Sequence, residues 1–224
     1  MNLTFISDTH NKHGHIPKDL LIGGDIIFHS GDVSSRGYVH EIENFLYWYN
    51  SLDNYKYKIL IAGNHDFLFE DSPQKAKSIL EKYPNVIYLQ DSGIEIQGLN
   101  IWGSPWQPEF YNWAFNLPRK GVELLDKWKM IPGNCDILLT HGPPKGILDK
   151  VPDGFLCGCE ILYDEIVQYI NPKIHAFGHI HCGYGVQEQE GTHFINASCL
   201  NEDYKYTNKP INIKIDEEKK VIII

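Results

Sequence analysis

Short apolar runs recur along the chain at 3–6, 25–28, 58–62, 136–139 and 174–177. Continuous apolar runs of four or five residues are the mark of strands buried on both faces. Between them Ile42, Phe45, Leu46 and Tyr49 recur at helical spacing, predicting a helix over about 39–52 with Ser34 or Ser35 near its start. Ser72-Pro73 reads as a capping residue followed by proline at the first helical position, opening a helix to about Tyr83. A strand is expected at 86–89, and 94–96 with 100–102 around Gly98 read as a hairpin. The aromatic, proline-bearing segment 104–118 reads as an irregular loop, and helices near 119–129 and 159–170 flank the strand at 136–140. The last third is strand-rich, at 174–178, 184–189, 192–197, 211–215 and 220–224. Helices alternate with strands early and strands pair as hairpins late. That mixture predicts a single α/β domain over 1–224, with two stacked mixed β-sheets flanked by helices.

Each of the five apolar runs ends in a short polar motif: Asp8-Thr9-His10, Gly31-Asp32, Gly63-Asn64-His65-Asp66, Thr140-His141-Gly142 and Gly178-His179-Ile180-His181. In open α/β sheets function collects beyond the carboxyl ends of strands. Asp8 and His10, two apart, project to one face, as do His179 and His181. A carboxylate after a glycine, such as Asp32, can bridge two cations about 3.5–4 Å apart, the separation phosphoryl chemistry needs. Asn64 offers a neutral oxygen, and His141, His179 and His181 offer imidazole nitrogens. These hard and borderline donors suit two divalent ions, Mn, Fe, Zn or Mg. Each motif alone has an ordinary reading: a capped turn, a tight turn, a half-exposed strand face, or a left-handed asparagine. Five of them at five strand ends point to a dinuclear metal centre.

Charge and cysteine content narrow the partners. A formal net charge of −9, with no basic run longer than a lysine pair, repels a polymeric nucleic acid. A small phosphorylated substrate stays compatible, because bound cations invert the sign inside one pocket. No apolar run approaches a membrane span. The first strand begins at Leu3, which leaves no room for a cleaved leader, so a cytoplasmic location is expected. Five cysteines without a C-x-x-C pair read as reduced thiols.

The order and wording of these motifs resemble the calcineurin-like metallophosphoesterase superfamily, whose signature is D-x-H, G-D, G-N-H-[D/E], H and G-H-x-H. A closer resemblance, to the metallophosphoesterase-domain-containing proteins of animals, rests on Gly103 to Phe110, Trp113 to Pro118, Thr140 to Pro144 and Gly178 to Gly185. The resemblance implies a four-layer αββα sandwich. It also implies one metal on Asp8, His10, Asp32 and His181, and a second on Asp32, Asn64, His141 and His179, with manganese or iron favoured. Some members of the group vary at the first histidine of G-H-x-H; this chain keeps His179.

Mechanism follows from such a centre. A water between two cations deprotonates near neutral pH and attacks phosphorus in line. Arg36 would neutralise charge on the non-bridging oxygens, and His65 would protonate the leaving alkoxide. Protein phosphatases of the superfamily carry G-D-x-x-D-R-G, but Ser35 stands here at the second aspartate position. That departure argues against a protein phosphatase and leaves Asp66 as the candidate to orient His65. Trp106 and Phe110 are candidate substrate-binding aromatics, able to stack on a nucleobase; packing into a satellite core is their more ordinary use. The expected function is hydrolysis of small phosphodiesters such as cyclic nucleotides. The alternatives are a phosphomonoesterase or nucleotide pyrophosphatase on the same site, and a non-catalytic scaffold for a protein partner. Retention of His10, His65, His141, His179 and His181 disfavours the scaffold.

Overall fold

Strand β1 (Asn2–Ile6) leads through two single 3₁₀ turns to β2 (Gly24–His29), helix α1 (Val39–Asn50) and β3 (Tyr55–Leu60). The chain continues through α2 (Phe67–Asp71), α3 (Pro73–Leu80), β4 (Val86–Tyr88), β5 (Ser92–Ile96) and β6 (Leu99–Ser104). Two short strands, β7 (Gln107–Pro108) and β8 (Asn116–Leu117), precede α4 (Val122–Lys129), β9 (Ile137–Thr140), α5 (Glu160–Glu165) and β10 (Ile174–Phe177). The last strands are β11 (Gly185–Gln189), β12 (Thr192–Asn196), β13 (Ile211–Ile215) and β14 (Val221–Ile223). This computed structural model describes residues 1–216, 218 and 220–224. Among them no helix is long and apolar enough to cross a membrane.

The strands form two six-stranded mixed sheets, ordered β14-β13-β1-β2-β3-β4 and β11-β12-β10-β9-β6-β5. β1 to β4 run parallel in the first sheet, and β6, β9, β10 and β12 run parallel in the second. β13 and β14 extend the first sheet, and β11 and β5 flank the second, each joined by antiparallel pairing. The carboxyl ends of β1, β2 and β3 therefore share one edge, as do those of β9 and β10. A parallel bridge between Ser7 and Ser198 ties the two sheets together at that edge.

The apolar runs are continuous because alternate residues serve different cores. Phe5, Ile26 and Phe28 face Ile137, Leu139 and Ile174 between the sheets. Their chain neighbours Ile6 and Ile27 turn outward against Ile42, Phe45, Leu46 and Tyr49 of α1. On the far side Leu138, Phe177 and Phe194 pack under Leu124, Trp128, Leu162 and Ile166 of the helical layer. Each such side chain contributes about 1.5–3 kcal/mol on burial. The result is the expected αββα sandwich.

Local differences have identifiable causes. Helix α2 is five residues long, too short for periodicity to reveal. The segment read as irregular holds β7 and β8, a two-residue pairing below the length of any alternation signal. The helix expected at 159–170 is α-helical only to Glu165, then widens into a π turn over Ile166–Ile170 that Asn171 ends at φ +47°. Helix α1 is started by neither Ser34 nor Ser35. Glu41 accepts from the Tyr38 amide at 3.1 Å and the Arg36 amide at 3.0 Å, satisfying two amides at and just before the helix start.

Candidate metal centre

The loops that follow β1 and β2 are zipped together by backbone bonds from Asp8 to Gly31, His10 to Asp32 and Asn11 to Val33, each 3.0 Å. Asp8, His10, Asp32 and His179 all adopt left-handed backbone, at φ +53°, +39°, +56° and +67°. Such conformations cost non-glycine residues of the order of 1 kcal/mol or more and persist where surrounding structure enforces them. Here they accompany the approach of the Asp8, His10 and Asp32 donor atoms to one another and the placing of the His179 ring beside that of His141. Two glycines make the close approach possible. A Cβ on Gly63 would overlap Asp32 Oδ1, and one on Gly178 would overlap Asp8 Oδ2 and Ser7 Oγ.

Three imidazoles are aimed in the same way. His10 Nδ1 meets Ser34 O at 3.2 Å, His141 Nδ1 meets Ser30 O at 2.9 Å, and His181 Nδ1 meets Asn201 O at 2.9 Å. A carbonyl only accepts, so each Nδ1 carries the hydrogen and each neutral ring presents its Nε2 lone pair inward. Those lone pairs converge on other acceptors. His10 Nε2 lies 3.4 Å from His181 Nε2 and 3.7 Å from Asp32 Oδ2. His181 Nε2 lies 3.6 Å from Asp8 Oδ1. His141 Nε2 lies 3.4 Å from Asp32 Oδ2 and 2.9 Å from Asn64 Oδ1. Lone pairs pointed at lone pairs need a proton or a cation between them, so the donor set fits bound metal ions.

Among the described residues, donor atoms within 4.8 Å of one another form three groups: Asp8 with His10 and His181, Asp8 with Asp32 and His141, and His10 with Asp32 and His65. Asp8, His10 and Asp32 each sit in two of them; Asp32 Oδ2 lies between His10 Nε2 and His141 Nε2, at 3.7 and 3.4 Å, and Asn64 joins at His141. The His179 ring lies 5.0 Å from the His141 ring, and its amide donates to both Asp8 oxygens at 3.1 and 3.0 Å.

Electrostatics describe the same cradle. Burial opposes ionisation of Asp8, but the hydrogen bond and charge of His181 outweigh it and hold the carboxyl below its usual range. Burial likewise opposes ionisation of Asp32, and His141 and His65 drive it well below the usual value. Burial disfavours protonation of His141 and His181, yet Asp32 and Asp8 respectively raise them to about 9. Burial dominates at His10 and His179, lowered to about 4 and about 3. The cluster thus holds protons where cations would otherwise sit.

Around this cluster the other candidate residues separate. His65 Nδ1 is fixed by Ser35 O at 2.8 Å, which leaves Nε2 3.9 Å from Asp32 Oδ2. Arg36 is exposed, its Cζ 5.2 Å from the Trp113 ring. Asp66 does not orient His65. Its buried carboxylate accepts from Val33 N, Ser34 N, Ser34 Oγ and Gly63 N at 3.2, 3.0, 2.6 and 2.8 Å, joining the loops that carry Asp32 and Asn64. Burial and the charge of Asp32 push it up to about 6. Trp106 is structural too. Its Nε1 donates to Asp91 at 2.8 Å, Lys127 lies 4.4 Å over its ring, and it packs edge-on to Phe115. Phe110 remains at the site, half-exposed, with its ring centroid 6.5 Å from that of His179.

Several residues here carry no motif. Ser198 Oγ donates to Asp8 at 2.8 Å, and the Tyr204 ring lies 5.0 Å from His10 and 5.4 Å from His181. Both come from the segment after β12, where nothing in the sequence marks them. Trp113, stacked on His65, belongs to the aromatic segment, but spacing alone does not distinguish it from its neighbours.

A cleft of about 560 Å³ opens beside His179 and His181. Phe110, Pro143, Val151, Pro152, Phe155 and Tyr204 make its walls apolar, with Glu109, Asp153 and Glu202 also lining it. Arg119, the one lysine or arginine among the described residues that line it, is engaged by Gly158 O, Cys157 O and Glu160 at 2.7, 2.9 and 3.0 Å.

Comparison with known proteins agrees with this geometry. A family model described as calcineurin-like phosphoesterase matches residues 1–183. Metallophosphoesterase domain-containing protein 1 of Homo sapiens and its Mus musculus counterpart are each 42% identical to this chain, over 94% of it and 69% of their own length. A 3′,5′-cyclic-nucleotide phosphodiesterase of Nostoc sp. is 25% identical over 87% of this chain and 68% of that protein. One solved structure superposes over 100% of this chain and 98% of its own, with a TM-score of 0.73 at 17% identity. TT1561 of Thermus thermophilus superposes over 99% and 97%, with a TM-score of 0.68 at 15% identity. These two structures share the fold.

Proposed function

The chain belongs to the calcineurin-like phosphoesterase family, and from that premise we propose that it hydrolyses small phosphodiesters, cyclic nucleotides among them, on two divalent cations. Asp8, His10, Asp32 and His181 would hold one cation, and Asp32, Asn64, His141 and His179 the other, manganese or iron being favoured. When bound, the pair supplies the nucleophile at neutral pH and neutralises charge on the phosphoryl oxygens. The observation that carries the reading is one oxygen of Asp32 facing both His10 and His141, with His65 standing beside it.

The remaining steps belong to side chains. His65, its Nδ1 given to Ser35 O, has Nε2 free to donate a proton to the leaving oxygen. Arg36 is free to meet a non-bridging oxygen. Asp66 keeps the loops of Asp32 and Asn64 in register and touches no reacting atom.

The cleft favours a substrate with one phosphoryl group and an apolar or aromatic remainder. Its carboxylates and its engaged guanidinium offer nothing to the further phosphates of a pyrophosphate. Phe110 supplies a face for the organic group. The Nostoc relative, named as a 3′,5′-cyclic-nucleotide phosphodiesterase, supports the same class.

The test is turnover of bis-p-nitrophenyl phosphate, p-nitrophenyl phosphate, 2′,3′-cyclic AMP, 3′,5′-cyclic AMP and a dinucleoside polyphosphate. Each is assayed with Mn²⁺ and with chelator, beside Asp32→Ala. Metal-dependent diester cleavage that vanishes in the variant is expected. A strong preference for the monoester or the polyphosphate would sink the diester reading.

A further inference from the structure

We propose that Trp113 is the positioning residue for the proton donor: it holds the imidazole of His65 in the plane from which Nε2 meets the leaving oxygen. The proposal rests on the reading of His65 as that donor. The Trp113 and His65 rings stack with centroids 4.1 Å apart and planes inclined by 29°. The bond from His65 Nδ1 to Ser35 O fixes one point of the ring but leaves it free to tilt about that bond. A flat aromatic face removes the tilt, and His10 meets the same imidazole edge-on at 4.6 Å.

Trp113 is itself anchored to the ligand loops. The next amide, Ala114 N, donates to Asn64 O at 3.1 Å, and Phe115 N donates to Glu70 at 2.9 Å. Arg36 Cζ lies 5.2 Å from the Trp113 ring, within cation–π range, so the indole touches both groups that would act on the phosphoryl group. Packing is the smaller part of its surroundings. Trp113 is half-buried, meets Phe67 at 5.9 Å between ring centroids and, among the described residues, belongs to none of the three apolar cores, whereas Trp106 of the same segment packs against two of them.

The step it serves is balanced. Water oxygen bonds to phosphorus and gives up a proton to solvent. The electron pair of the breaking P–O bond stays on the leaving oxygen, which takes the proton from His65 Nε2; solvent then reprotonates His65. Protonation matters most when the leaving alcohol is a weak acid, so losing the donor's alignment should show as a dependence on leaving group.

The experiment compares methyl aryl phosphate diesters whose leaving groups are 4-nitrophenol and unsubstituted phenol, on manganese-loaded wild type, Trp113→Ala, Trp113→Phe, His65→Gln and the double variant Trp113→Ala/His65→Gln. Metal content and melting temperature are recorded for each. General acid catalysis is worth of the order of 10²–10⁴-fold. Trp113→Ala should therefore lower kcat on the phenyl ester by about thirtyfold or more, lower it on the nitrophenyl ester by less than about threefold, and leave KM unchanged. Trp113→Phe, which keeps an aromatic face, should recover most of the loss. The double variant should be no slower than His65→Gln, because the indole acts through the imidazole. Equal losses on both esters, a change in KM alone, no recovery by phenylalanine, or additive losses in the double variant would each overturn the proposal. If His65→Gln itself shows no leaving-group dependence, the donor reading falls and the proposal falls with it; a leaving-group effect in His65→Gln but not in Trp113→Ala overturns the positioning role alone.

Discussion

His10 Nε2 and His181 Nε2 face one another across 3.4 Å although 171 residues separate them in the chain, and each ring has already given its Nδ1–H to a backbone carbonyl. With both Nδ1 atoms engaged, only a proton or a cation can sit between the two Nε2 atoms, and a divalent cation that takes the proton's place binds to more donors at once. Loading with Mn²⁺ at about a hundred times its Kd should therefore stabilise the fold by about 2.7 kcal/mol. For a chain of this size that is a rise in Tm of roughly 5–10 °C. Asp32→Asn should lose most of the rise. Differential scanning calorimetry with and without chelator checks this, and a wild-type Tm indifferent to metal would contradict it.

Protons compete for the same site. His141 and His181 are raised to about 9, so at pH 7 both hold protons that metal ions must displace. Metal affinity should then climb with pH, by at least about tenfold between pH 7 and 8, and flatten near pH 9. Titration with a fluorescent metal competitor at the two pH values measures it. A flat profile would mean that these rings are neutral in the metal-free protein.

Acid should weaken the fold through histidines away from the metal cluster. His175 is fully buried, its Nε2 meets Thr140 Oγ1 at 2.8 Å, and its Nδ1 has no partner among the described residues. Burial lowers it from 6.5 to about 3. The unfolded chain therefore takes up the proton first. This contribution to stability is complete above pH 6.5 and is lost as pH falls toward 3. At pH 5 the loss is about 2 kcal/mol. Urea midpoints at pH 7.5 and 5 should differ less in His175→Phe than in wild type by that amount; identical differences would refute the assignment.

Asp66 should matter to folding before it matters to turnover. Replacing it with alanine orphans the buried amides of Val33, Ser34 and Gly63. Each unsatisfied donor costs about 1–3 kcal/mol, so Asp66→Ala should destabilise the metal-free protein by about 3 kcal/mol or more. Chemical denaturation in chelator tests this, because a residue needed only for the reaction would leave the midpoint where it was.

The two aromatic candidates should part company. Phe110→Ala should raise KM for an aryl diester several-fold while Tm stays within about 1 °C, since its ring is half-exposed at the cleft. Trp106→Ala should lower Tm by several degrees, because its indole is bonded to Asp91 and packed on Phe115. Steady-state kinetics and melting curves on both variants would show a reversed pattern if the assignment is wrong.

The sequence by itself determined where the strands of the two large sheets lie, where α1 runs and which residue types stand at the strand ends. Those features are local: a strand buried on both faces must be apolar at every position, and a helix shows its buried face within two turns. The candidate donors Asp8, His10, Asp32, Asn64, His141, His179 and His181 can be proposed from the sequence because each sits within a few residues of such a run. Tertiary structure alone decided which donor faces which, since His10 meets His181 only through the strand orders of two sheets. It also turned Asp66 onto backbone amides, sent Trp106 into the core, and brought Ser198, Tyr204 and Trp113 to the site. A side chain's periodicity reports the face it occupies. Its partner on another element is set by register and packing between segments far apart in the chain, and no local pattern carries that.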